Sequence, residues 1–253
     1  MENGALGRKL LITAVVVLGV FKYVAHNPDS VKLELDEKKE QDLSARLLDL
    51  QKKHNAFSKE IDPEKRKVIM SGEEIREMNE LYIFTHYKLA QKVYQEYDIP
   101  ASVVMAQALN EGGAGSSDLA QEAHNNFGVK HWAHSHKEFE GQEIILDEKG
   151  KPCCIEHEDN EVYDHFKIYK DDEESFLKGY VGVFYKDLDN KIKKERYEKC
   201  FDCGDVPKCW AYAIKKAGYA TDLEYSLKLI KYMDDYDLYK LDKGMDYILE
   251  AKK

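Results

Sequence analysis

Residues 99–113 read Ile-Pro-Ala-Ser-Val-Val-Met-Ala-Gln-Ala-Leu-Asn-Glu-Gly-Gly. The pattern is an apolar helix that opens at Pro100 and stops at Gly112 and Gly113. Its last turn carries one carboxylate, Glu111. A carboxylate there feels the negative end of the helix dipole and is partly desolvated, and both effects raise its pKa. A carboxylic acid that keeps its proton near neutral pH is the donor that glycosidic bond cleavage needs.

The neighbouring elements must position that acid. Ser71 and Glu74 make a capping box, which predicts a helix running to about Tyr97. Ser116 or Ser117 caps a further helix that ends near Asn125 and Asn126, and residues 127–130 are extended. Residues 141–169 read as strands. Ile144 to Leu146 and Cys153 to Ile155 flank a turn-rich stretch, and residues 162–169 extend the hairpin. Helices resume over 172–188. Another starts at Asp205 or Val206, with Pro207 in its first turn and Gly218 past its end. Thr221 or Asp222 caps the last, Leu223 to about Asp235. The fold class is α+β, mostly α, with one small β insertion and no internal repeat.

The chain has 253 residues and a formal net charge of −10, which argues against a nucleic-acid partner because binding one needs a basic face. Seventeen tyrosines suit both a sugar-binding cleft and an amphipathic core. Arg8 and Lys9 precede a short apolar run, Leu10 to Phe21, which reads as a signal peptide or an uncleaved signal anchor over residues 1–26. A buried N-terminal helix is the third reading. Either membrane reading exports the chain beyond residue 26. Residues 27–70 are polar and charged and read as a solvated linker. Within it, leucines at helical spacing predict an exposed or self-associating helix over 42–57. The catalytic unit then spans 71–253.

Among the five cysteines, Cys200, Cys203 and Cys209 share one short loop that any pair of them could close. A zinc site there lacks a clear fourth ligand, and Cys153 and Cys154 add two more thiols. His131, His134 and His136 could hold a metal, but a polar loop accounts for the same pattern, and no metal is assigned. Trp132, lying among them, is a candidate for stacking on sugar.

Four blocks in order carry a resemblance. They are Ile99-Pro100-Ala101-Ser102 through Ala106-Gln107 to Glu111; Asn125-Asn126-Phe127-Gly128-Val129-Lys130; Phe166-Lys167-Ile168-Tyr169 with Glu174-Ser175-Phe176; and Trp210-Ala211-Tyr212 with Lys216-Ala217-Gly218-Tyr219-Ala220-Thr221-Asp222. Over about residues 80–242 the chain resembles the glucosaminidase domain of glycoside hydrolase family 73, in the lysozyme-like superfamily. The resemblance implies a lysozyme-like helical domain with a β-hairpin lobe. It implies cleavage of the N-acetylglucosaminyl-β-1,4-N-acetylmuramyl linkage of peptidoglycan, without an organic cofactor. The family's acid falls on Glu111. The second carboxylate belongs on the hairpin, where Asp147 and Glu148 match best, Glu148 first, with Glu143 and Glu156 nearby. Tyr219 would shape the site beside the acetamido group and Tyr169 would line the groove, while Asn126 and Phe127 would form the wall beneath it. The family usually follows its acid with Ser-Gly-aromatic-Gly; here Gly112-Gly113-Ala114-Gly115 takes that place, which removes a sugar-contacting surface. That departure motivates one rival reading, a non-catalytic peptidoglycan-binding module; a second, a structural component of a cell-envelope machine, would use the N-terminal anchor and the helix over 42–57 as its assembly elements.

Overall fold

The computed structural model describes residues 37–59, 70–131, 144–146, 149–159 and 162–249. The apolar segment 1–26 lies outside them, as do Trp132, His134, His136, Glu143, Asp147 and Glu148. Among the described residues no helix is long and apolar enough to cross a membrane.

Helix α1 spans Glu37–Lys59, α2 Gly72–Tyr97 and α3 Ala101–Glu111. The capping box on α2 forms as expected: Ser71 Oγ accepts from the Glu74 amide, and the Glu74 carboxylate accepts from the Ser71 amide. Helix α3 is buried from Ala101 through Leu109, so it runs through the core and shows no polar face. Around it pack α2, α7 (Pro207–Lys216), α8 (Tyr225–Asp235) and the final 3-10 turn Leu238–Lys243. Between them come α4 (Asp118–Ala123) and α5, in which turns Asp172–Glu174, Ser175–Tyr180 and Val181–Phe184 run on as one helix with a π-helical middle. A short ribbon of β4 (Tyr185–Asp187) and β5 (Ile192–Lys193) leads to α6, Glu195–Glu198.

The β lobe is a three-stranded antiparallel sheet of β1 (Ile144–Leu146), β2 (Pro152–Asp159) and β3 (Val162–Lys167). Register runs from Cys154 opposite Lys167 to Asp159 opposite Val162. On the free edge of β3, Lys130 bridges Phe166, the His131 amide donates to the His165 carbonyl, and the Lys167 amide donates to that of Val129. The extended segment after Asn126 therefore joins the lobe to the helical body. Phe127 anchors that junction, ring to ring with Phe176 and Tyr180.

The expected solvated spacer is corrected in part. The helix over 42–57 forms, but Leu47, Leu50 and Gln51 are buried and α1 packs along α2. The leucines at helical spacing make a stripe facing the rest of the protein. The cysteine loop closes between Cys203 and Cys209, which leaves Cys200 a buried thiol. Pro207 starts α7 shortly after the 3-10 turn Phe201–Cys203 ends, and that chain reversal brings Cys209 back to Cys203.

Candidate active site

Glu111 stands where α3 ends, half-buried, with Gly112 as the C-cap. The Gly112 position admits no side chain: a Cβ there would lie 2.6 Å from the Asn126 carbonyl oxygen, a backbone atom that cannot swing away. Gly113, Ala114 and Gly115 then run through left-handed conformations with φ of 54°, 55° and 75°, which turn the chain sharply away from the helix.

Burial pushes the Glu111 carboxyl above the ordinary carboxylate range. Two donors oppose it. The Tyr225 hydroxyl donates to Glu111 Oε1 at 2.6 Å, and Asn110 Nδ2 donates to the same oxygen at 3.2 Å. Burial is the larger effect, so the acid is biased toward its protonated form. Behind it lies a relay of buried groups. Gln107 Nε2 donates to the Tyr225 oxygen at 2.9 Å, and the Tyr180 hydroxyl donates to Gln107 Oε1 at 2.7 Å. Tyr219 stacks on Tyr225 with ring centroids 5.6 Å apart; burial first, and the Glu111 charge after it, push its hydroxyl pKa up. The structure thus places Tyr219 against the tyrosine that donates to Glu111, and Tyr225 joins the candidate residues. Sequence reasoning missed Tyr225 because it lies in the first turn of α8, where a tyrosine reads as one more core aromatic.

Other expected site residues sit elsewhere. Asn126 is 2% exposed, and its side chain donates to Asp172 Oδ1 at 2.8 Å and accepts from Tyr82 Oη at 3.0 Å. Phe127 is likewise interior. Both are buried in this structure and are held by the packing of the helical body. Tyr169 is 8% exposed, with its ring against Gly179, where a Cβ would lie 2.5 Å from the ring. Glu156 lies on β2 opposite His165. Ala114 is buried, with its carbonyl accepting from Gln51 Nε2 at 2.8 Å. A larger side chain at this fully buried position would have to displace its neighbours.

Two further sets of contacts support the loop after Glu111. From α1, His54 Nδ1 lies 2.8 Å from Ser116 Oγ, and Asn55 Nδ2 donates to the Ser116 carbonyl at 2.7 Å. Ser116 Oγ spends its proton on the Gly113 carbonyl, so it accepts from His54, which is the neutral tautomer protonated at Nδ1. Burial lowers the His54 pKa in keeping with that state. Beneath the loop, Asp172 is held between His86 Nε2 at 3.2 Å and His124 Nδ1 at 3.3 Å, besides Asn126. Burial alone would raise the Asp172 pKa, but the bonds and charges of the two imidazoles hold it well below the usual carboxylate range. His124 is raised in turn, chiefly by its bond to Asp172.

Residues 87–238 match the glucosaminidase family, described as mannosyl-glycoprotein endo-beta-N-acetylglucosaminidase. The exo-glucosaminidase LytG of Bacillus subtilis is 29% identical over 180 residues, covering 70% of this chain and 59% of the relative. The peptidoglycan hydrolase FlgJ of Pseudomonas aeruginosa is 26% identical over 155 residues, covering 58% of this chain and 34% of the relative. The chain therefore spans less than two thirds of the length of either. Among solved structures, a peptidoglycan hydrolase from Sphingomonas sp. A1 overlays 69% of this chain and 98% of its own at 21% identity, with a TM-score of 0.48. With the family match covering more than half of its length, this chain belongs to the glucosaminidase family of glycoside hydrolases.

Proposed function

We propose that the protein hydrolyses peptidoglycan at the β-1,4 bond between N-acetylglucosamine and N-acetylmuramic acid, with Glu111 as general acid. One observation supports this above the rest: a half-buried carboxyl at a helix end, biased toward its protonated form by burial and aimed by the Tyr225 hydroxyl. Its proton passes to the leaving glycosidic oxygen as oxocarbenium character develops on the sugar. A hairpin carboxylate, Glu148 or Asp147, activates water from the other side. In the substrate-assisted variant the acetamido group attacks instead, with Tyr219 beside it. The partner is the glycan strand, which puts the protein in the cell envelope, and the apolar segment 1–26 supplies export or a membrane tether.

Glu111→Gln tests the reading, because an amide cannot donate the required proton. The full chain should clear peptidoglycan in a gel and release fragments with reducing-end N-acetylglucosamine by mass spectrometry. The variant should fold and lose nearly all turnover. Wild-type turnover in the variant rejects the acid. Reducing-end N-acetylmuramic acid would reject the bond, and capture of intact glycan without cleavage would favour a binding module.

A further inference from the structure

Cys153 and Cys154 open β2, while His131 ends the segment paired to the far edge of β3. Both positions are fixed by backbone bonds. The Ile168 amide donates to the Cys153 carbonyl at 2.9 Å, Cys154 pairs with Lys167, and the His131 amide donates to the His165 carbonyl at 2.9 Å. Across β3 the side chains converge. One imidazole nitrogen and the two sulfurs all lie within 4.8 Å of one another, with Cys154 buried and the other two half-buried.

We propose that His131, Cys153 and Cys154 form a zinc site that ties β2 to the segment leaving the helical body. The geometry is within reach of a tetrahedral ion. Zinc–sulfur bonds of about 2.3 Å hold two sulfurs roughly 3.8 Å apart. The sulfurs here are 3.1 Å apart, so small rotations of the two side chains admit the ion. Thiolate and imidazole are the donors that favour zinc over the hard cations. A disulfide is the competing fate, and the backbone disfavours it. Neighbours across a trans peptide have Cα atoms about 3.8 Å apart, short of the roughly 4.4–6.8 Å that an unstrained bridge spans. By contrast, Cys203 and Cys209, at 5.6 Å, are bridged. Binding releases the two thiol protons, and the two thiolates balance the charge of the divalent ion, the fourth position being taken by water or a further donor. The ion would brace the lobe whose β1–β2 connection contains Asp147 and Glu148. The site stands on its own geometry and not on the hydrolase reading.

The test uses the full chain with its Cys203–Cys209 bridge intact, stripped of metal under a mild reductant that spares that bridge, and titrated with zinc against a chromophoric chelator. One equivalent should bind, cobalt should give a thiolate charge-transfer band, and zinc should protect Cys153 and Cys154 from alkylation as mapped by peptide mass spectrometry. His131→Ala, Cys153→Ser and Cys154→Ser should each abolish the one-equivalent transition, whereas Cys200→Ser should bind as wild type does. If a variant fails to fold, the wild-type alkylation pattern and a rise of its Tm with zinc decide the matter. The proposal is overturned if the reduced chain binds no zinc, if the three variants bind as wild type does, if zinc leaves both thiols open to alkylation, or if the purified protein carries a bridge between Cys153 and Cys154.

Discussion

Tyr225→Phe separates the tuning of the acid from its presence. The hydroxyl donates to Glu111 Oε1 at 2.6 Å and so favours the ionised carboxylate. A hydrogen bond to a charged group contributes about 1.5–3 kcal/mol, and about 1.36 kcal/mol corresponds to one pKa unit. Because the protonated acid keeps part of that bond, the lower end applies, and the Glu111 pKa should rise by about one unit. An acid catalyst works only while protonated, so the basic limb of kcat/KM against pH should shift upward by about that much. Above the wild-type limb the variant should then be the faster enzyme. A second effect separates this from generic damage. Gln107 Nε2 loses its acceptor in a fully buried place, which costs about 1–3 kcal/mol and lowers Tm at every pH. The assay is turnover of soluble glycan strands from acid to alkaline pH, alongside thermal melts. A folded variant whose basic limb stays put or moves down would refute the assignment of Glu111 as the titrating donor.

Other perturbations have equally definite signs. Glu111→Gln removes a carboxyl whose pKa the fold raises. Stability is lost between its unfolded pKa and that raised folded value and stays lost above it, so melts against pH should show a decline in wild type across that window that is absent from the inactive variant. Asp172→Asn should cost about 3–5 kcal/mol, because two imidazoles lose a buried counter-charge. Asp172 is lowered on folding, so its contribution is lost as pH falls below its unfolded pKa. His124 is raised, so its contribution is lost as pH rises beyond its unfolded pKa and through its folded one. Melts against pH should therefore show the network's support peaking between about pH 4 and 6.5 in wild type, with that feature absent in the variant. Gly112→Ala meets the Asn126 backbone and should lose about 1–3 kcal/mol in chemical denaturation together with most activity, since the strain falls beside Glu111. Gln51→Ala leaves the Ala114 carbonyl without its buried donor and should reduce kcat more than it raises KM in steady-state assays.

What could be read from the chain alone was its local punctuation. Ser71 with Glu74, Pro100 with Gly112, and Pro207 with Gly218 each act within one turn of the helix they bound, so spacing suffices to place them. Glu111 was legible for the same reason. Residues that meet across the fold were not. Tyr225 reaches Glu111 from 114 positions away, and Gln51 reaches Ala114 from 63. A charged, leucine-dotted helix looks the same whether it is solvated or docked, and the difference lies in the face of α2 that receives it. The partner of Asn126 was equally hidden. The buried Asp172 carboxylate, 46 positions away, needs a donor, and Asn126 supplies it.

Because Gln51, His54 and Asn55 of α1 hold the loop after Glu111, the stretch ahead of Gly72 is part of the scaffold on which the acid rests. Trimming the chain to its family-matched span would strip the Ala114 and Ser116 carbonyls of the donors that α1 supplies, in a place closed to water.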